Sequence, residues 1–172
     1  MFRAAVSALA LLALTACASV PNALDAQTRQ SVFVKEVGVG WSLDDAKVAD
    51  KPEYVEGKTD LQARLKTAVE QAFKASPAGG EAVRFDINVD RYSRVGAAMG
   101  NIVGGSNSVV ADVTVVRLSD NKTLGVYNDV TGVYASNGGL LGAVVQAAMK
   151  PDIVGIMANN FAQNLRARFD SK

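Results

Sequence analysis

Histidine is absent from the 172 residues. That removes the commonest general base, the usual activator of a nucleophile and the commonest metal ligand. Ser-His-Asp and Cys-His catalysis are excluded, as are histidine-based zinc sites. Cysteine occurs once, at Cys17, so no intramolecular disulfide can form and the fold must rest on its core alone. An excess of charge is also missing, with 18 Lys and Arg against 17 Asp and Glu. Nucleic-acid binding needs a concentrated basic surface, so no nucleic-acid partner is expected. No glycine-rich stretch is followed by the Lys-Ser/Thr pair of a phosphate loop, and no cofactor or metal is expected. The apolar run from Ala4 to Leu14, broken only by Ser7, is far shorter than the ~20 residues that span a bilayer.

What is present begins with that run. Met1-Phe2-Arg3 precede it and Leu14-Thr15-Ala16-Cys17 follow it. A positive start, an apolar middle and small residues before a cut describe a secretory signal peptide over residues 1–16. The four residues that close it resemble the bacterial lipoprotein lipobox, a Leu, two small or hydroxylated residues and a Cys. The resemblance implies recognition of Leu14, Thr15 and Ala16 by the signal peptidase and cleavage before Cys17. It also implies diacylglycerol on the Cys17 sulfur and acylation of the new amino group, with palmitate among the chains. A single chain holds only marginally, whereas two or three on one residue hold firmly. Ala18, not Asp, follows the cysteine. By the sorting rule of enterobacterial lipoproteins this implies the periplasmic face of the outer membrane rather than the inner membrane. Loss of residues 1–16 removes Arg3 and no acid, leaving 17 basic and 17 acidic residues.

The 156 residues from Cys17 onward suit one domain with a sizeable core. Residues 17–30 read as a lipidated cysteine and flexible tether, rich in polar residues and without periodicity. Residues 31–172 read as a single α+β domain. Ser31 to Trp41 is strand-favouring, with Gly38 and Gly40 marking a bulge or strand end. Ser42 to Lys58 is charged and poorly ordered. Asp44 and Asp45 within it are solvated or capping groups rather than metal ligands. Thr59 or Asp60 caps a helix reaching about Ala75, with Leu61, Leu65, Ala68, Val69, Ala72 and Phe73 on one face. Ala82 to Tyr92 alternates, with Phe85, Ile87 and Val89 on one side. Ser108 to Leu118 alternates likewise, turns through Ser119-Asp120-Asn121-Lys122, and returns as Thr123 to Tyr134. Leu140 to Met149 is a short apolar helix. A last helix from about Pro151, with Asp152 in its first turn, runs to Phe169. Its inner stripe is Ile153, Ile156, Met157, Phe161, Leu165 and Phe169, and Arg166 and Arg168 suit its C-terminal dipole. The order β-α-β-β-β-α-α predicts an α+β two-layer sandwich: a mostly antiparallel sheet of about four strands, one long central helix and a C-terminal helix pair.

Two glycine-rich stretches carry the remaining signal. Gly96, Gly100 and Gly104 recur at spacing four, followed by Gly105, and a second run contains Gly138 and Gly139. Such spacing lets backbones approach closely. These six glycines are the candidate interaction surface, against the plainer reading of a loop joining two strands. Trp41, Tyr54, Tyr92, Tyr127 and Tyr134 read as core or strand-end packing.

From Arg91 onward the chain resembles a group of small bacterial lipoproteins with a glycine-rich domain. The shared pattern is carried by Arg91 to Arg94, Gly96 to Gly105, Val109 to Asp120, Leu124 to Tyr134, Gly138 to Gly142 and Asp152 to Phe169. The arrangement is similar to the domain at the start of TolB-like periplasmic proteins and to lipoproteins of envelope transport or secretion machines. The resemblance implies a fold and a cellular address and carries over no catalytic residue. The expectation is a non-enzymatic envelope lipoprotein, held to the bilayer through acylated Cys17, that binds an envelope protein or self-associates. An accessory subunit of an envelope transport or lipid-trafficking system is the alternative, and it requires an apolar or aromatic cleft. A carboxylate- or lysine-dependent enzyme is the remote one.

Overall fold

The computed structural model describes residues 23–42, 52–74, 80–93, 106–135 and 152–171. In chain order these form α1 (Ala26–Ser31), β1 (Val32–Trp41), α2 (Pro52–Ala72), β2 (Glu81–Ser93), β3 (Ser106–Arg117), β4 (Thr123–Ala135) and α3 (Ile153–Asp170). The strands make one sheet in the order β1-β2-β3-β4. β1 runs parallel to β2, and the other two pairings are antiparallel. Parallel neighbours need a long crossover, and α2 supplies it. α2 and α3 pack against each other and the sheet, which makes the molecule the α+β two-layer structure expected.

The inner face follows from alternation. Phe85, Ile87 and Val89 of β2 and Val109, Ala111, Val113 and Val115 of β3 are at most 2% exposed. Leu61, Leu65 and Val69 of α2 and Met157, Phe161 and Leu165 of α3 meet them, fully buried. Each such large side chain contributes about 1.5–3 kcal/mol by leaving water.

Several expectations are corrected. The tether ends early: Leu24 is buried and α1 begins at Ala26, N-capped by Asp25. α2 starts at Pro52, well before Thr59, because proline fits the first helical turn, where its missing N–H costs nothing. The β1 bulge lies at Lys35, between Val34 and Glu36, while Gly38 and Gly40 pair in register with Asp86 and Asn88. A second bulge, at Asp90, reverses the alternation and turns Tyr92 inward. In α3 the 3.6 period through Met157, Phe161 and Leu165 puts Val154, Ala158 and Ala162 inside and leaves Ile156 36% exposed. Asp152 is the N-cap, accepting from the Gly155 N–H at 3.1 Å. Leu140 to Met149, the first of the expected helix pair, and the Asp44-Asp45 pair lie outside the described residues.

The outer edge of β4 is closed by α3. Asn160 Nδ2 donates to Val133 O at 2.8 Å and Asn164 Nδ2 to Thr131 O at 2.6 Å. Arg168 donates to Asn128 O and, at 3.1 Å, to Asp129 O. The spacing i, i+4, i+8 puts the three donors on one stripe. α3 comes this close because β4 carries Gly132 there: a Cβ would collide with Met157 O and lie 2.8 Å from Phe161 Cβ. Gly125 does the same lower on β4, where a Cβ would strike Ala23 O.

Candidate functional site

The site residues expected from sequence, Leu14, Thr15, Ala16, Cys17, Gly96, Gly100, Gly104, Gly105, Gly138 and Gly139, all lie outside the described residues. The fold determines where their segments attach. Ser93 pairs with Ser108, and Ser106 pairs with Ala135. The connection after Ser93 and the stretch after Ala135 therefore depart from one end of the sheet, here the upper end. The chain enters at the other, lower end, where β1 and β2 begin and α3 finishes.

The upper end carries a mixed aromatic and polar cluster. The Trp41 and Tyr92 rings meet edge-on, with centroids 6.0 Å apart. The Lys58 ammonium sits 5.3 Å above the Trp41 ring, a cation–π contact. Gln62 Nε2 donates to Val39 O at 3.2 Å, and Ser42 Oγ donates to Asp90 Oδ1 at 2.6 Å. Asn107, 3% exposed, is the buried polar residue among the described core.

The lower end is built around α1. The Thr28 N–H and hydroxyl donate to Asp25 at 2.9 and 2.6 Å. The hydroxyl bond first, then the N–H bond, hold the Asp25 carboxyl below its usual range. Arg29 Nη1 crosses to the end of α3 and donates to Phe169 O at 2.9 Å and to Ser171 O. This satisfies carbonyls that the helix itself leaves orphaned. Arg29 Nε is buried without a hydrogen-bond partner.

Beside α1 lies a groove of about 640 Å³, within the range of ligand sites. Its apolar walls are Val32, Val34, Phe33, Phe73 and Phe169, and Arg29, Arg166 and Asp170 stand with them. Beneath it Phe73 packs edge-on to Phe85 and Phe169 at 5.0 and 5.4 Å. The Arg166 guanidinium lies 5.1 Å from the Phe73 ring centre, and its Nε meets Asp170 at 2.7 Å. Tyr127, near Phe169, is pushed up to about 12 by burial; Asp170 adds to the rise and Arg29 opposes it. It is a neutral phenol at physiological pH.

Sequence reading did not find this groove. Phe73 and Phe169 were legible as core residues, but their meeting with Phe33 and α1 depends on tertiary contacts that no periodicity reports. Arg166 and Arg168 stand near the C-terminus of α3, where their charge suits the dipole, and they also engage Asp170 and the β4 carbonyls. The stripe Asn160, Asn164, Arg168 was missed as well, although its i, i+4, i+8 spacing was the signal that could have found it.

Among the described residues no group of three or more Asp, Glu, Cys or His converges as a metal site requires. Five of the described carboxylates pair with three arginines: Asp60 and Asp152 with Arg64, Asp86 with Arg84, and Glu81 and Asp120 with Arg117. Such partly exposed pairs are each worth about 0–1 kcal/mol. No described helix is long and apolar enough to cross a membrane.

No family model matches the chain, and no curated protein matches it. Among solved structures it is similar to a predicted lipoprotein of Caulobacter crescentus CB15, at 13% identity over 83% of this chain and 90% of that one, with a TM-score of 0.42. It is similar to the PelC dodecamer of Paraburkholderia phytofirmans, at 11% identity over 81% and 92%, TM-score 0.38. It is also similar to lipoprotein GNA1162 of Neisseria meningitidis, at 17% identity over 70% and 95%, TM-score 0.30. At these scores the likenesses assign neither an activity nor a partner.

Proposed function

We propose that this chain is a cell-envelope lipoprotein, fastened to the periplasmic face of the outer membrane through acylated Cys17, and that its domain is a non-enzymatic interaction or assembly module. The observation that carries the reading is Leu14-Thr15-Ala16-Cys17 directly after a short apolar run. The fold supports a division of labour. Six peptide links separate Cys17 from Ala23, the first described residue. Fully extended they reach at most about 20 Å, so the lower end faces the bilayer. The upper end, where both glycine-rich segments attach, then faces an envelope partner or a second copy. The kinship with the domain at the start of TolB-like proteins belongs to the same proposal.

Radiolabelled palmitate tests the anchor. The label is expected in the wild-type chain and absent from Cys17→Ser, which should also leave the membrane fraction. A Cys17→Ser chain that matures and fractionates like the parent removes the address. Crosslinking in native envelopes tests the module: a defined adduct with one partner or with itself is expected, and recovery only as a monomer counts against it.

A second reading, an accessory subunit of an envelope lipid-handling system, is favoured by one observation. It requires an apolar or aromatic cleft, and the groove walled by Phe33, Phe73 and Phe169 is one.

A further inference from the structure

We infer that the lower groove is a binding site for one acyl chain of an anionic membrane phospholipid, with the headgroup phosphate at Arg29 and Arg166. The inference deepens the lipid-handling reading and takes from the anchored-lipoprotein reading only the source of the lipid.

Three observations converge on this occupant. The first is shape and chemistry. The groove holds about 640 Å³ and is walled by valine and phenylalanine side chains, with guanidinium groups beside them. A long apolar guest with an anionic end matches that arrangement. The second is charge. Two arginines face one carboxylate there, Asp170, which already engages Arg166 Nε. Arg29 spends Nη1 on the α3 carbonyls and keeps a buried Nε–H without a hydrogen-bond partner. The guanidinium groups that line the groove offer a phosphate charge-assisted hydrogen bonds. The third is position. α1 forms one wall through Ala26, Arg29 and Gln30, and Ala26 stands nine residues beyond Cys17. An anchor at Cys17 holds the groove within reach of the lipid–water interface, where lipid is the most concentrated apolar ligand. A free anion would leave the phenylalanine walls wet, and an uncharged chain would leave the arginines unanswered.

Two measurements on the full chain test this. In the first, the lipidated protein sits in phosphatidylcholine nanodiscs with a trace of phosphatidylglycerol bearing a diazirine near the acyl terminus. Irradiation is expected to label peptides containing Phe33, Phe73 and Phe169. Phe33→Asp, which charges a partly exposed wall, and Ala26→Trp, which fills the groove without touching the core, should each cut the label about tenfold. Ser93→Asp, at an exposed position of the upper end, should leave it unchanged. Label spread evenly over the surface, or surviving both groove variants, overturns the site.

In the second, the Cys17→Ser chain is titrated in solution with monomeric dihexanoyl phosphatidylglycerol and, separately, dihexanoyl phosphatidylcholine. Saturable binding about fivefold tighter for the anionic lipid, levelled by Arg166→Ala, is expected. If palmitate fails to enter Cys17 while this titration saturates, the address falls and the groove stands. If palmitate enters and the titration shows no binding, the address stands and the groove falls.

Discussion

The two edges of the sheet are finished in opposite ways. β4 is shut along its length: Asn160, Asn164 and Arg168 donate to its carbonyls, α3 presses onto Gly132, and the entering chain seats on Gly125. β1 has one side-chain bond of this kind among the described residues, from Gln62 to Val39 O, and is broken instead by a bulge at Lys35. An open strand edge is a template for unwanted pairing, and both devices blunt it. They differ in what they do for the molecule. The β4 closure is also a tertiary joint that sets the position of α3, and with it the end of α3 that walls the lower groove. The β1 bulge acts on its own strand. Substitutions on the β4 side are therefore expected to cost stability, and those on the β1 side to change association.

The largest effect belongs to Phe161, fully buried in α3 beside Gly132. Phe161→Ala is expected to lose about 3–5 kcal/mol of unfolding free energy by urea titration. A loss below 1 kcal/mol would mean that α3 does not depend on this joint. Gly132→Val comes next. Its side chain meets the Met157 carbonyl, which cannot move without the helix, and overpacking of this kind costs about 1–3 kcal/mol. The double variant Asn160→Ala with Asn164→Ala removes two partly solvated hydrogen bonds and should cost about 1 kcal/mol. It should also add faster amide exchange along Thr131 to Val133, a signature that core variants would not give selectively.

The unequal edges also explain what sequence reading could reach. Alternation at Phe85-Ile87-Val89 and Val109-Ala111-Val113 reports burial on one face directly, and the helical stripe through Leu61, Leu65 and Val69 does the same. The β3–β4 turn was legible in Ser119-Asp120-Asn121-Lys122. There the Lys122 N–H bonds Asp120 Oδ1 at 3.1 Å, and Asn121 takes a φ of 56°. The bulges were not legible, because Lys35 and Asp90 are ordinary polar residues whose extra place in the ladder exists only relative to β2 and β3. α1 was missed because six residues with no buried side chain of their own carry no period. Its cap, Asp25 with Thr28 three residues on, was the signal passed over. The groove was out of reach because its walls come from three separate stretches of chain.

Asp25 offers a smaller effect with a definite sign. Its carboxyl is held below the unfolded value of about 3.9 by the Thr28 hydroxyl and N–H. A depressed value contributes stability that is fully present above the unfolded pKa and fades as pH falls through the folded one. Asp25→Ala is therefore expected to lower Tm slightly at neutral pH, and the gap to wild type should close as pH drops below the usual carboxylate range. A gap that stays constant as pH falls through and below that range would mean the carboxylate plays no part in seating the entering chain against β4.

The smallest stability effect is expected at Lys35, and it makes the sharpest test of the contrast. The side chain is exposed on an edge strand, and surface substitutions of this sort stay within about 0.5 kcal/mol. Lys35→Val should leave the urea midpoint where it was. What it removes is a charge that any strand docking on β1 would have to desolvate, and it supplies a β-branched residue that suits pairing. Sedimentation of the variant against wild type is then expected to reveal added self-association at unchanged stability. The Asn160→Ala, Asn164→Ala variant should show the converse balance, with stability lost first. If Lys35→Val sediments as wild type does while the β4 variant associates, the protection has been assigned to the wrong strand, and β1 would have to be guarded by its own twist rather than by its lysine.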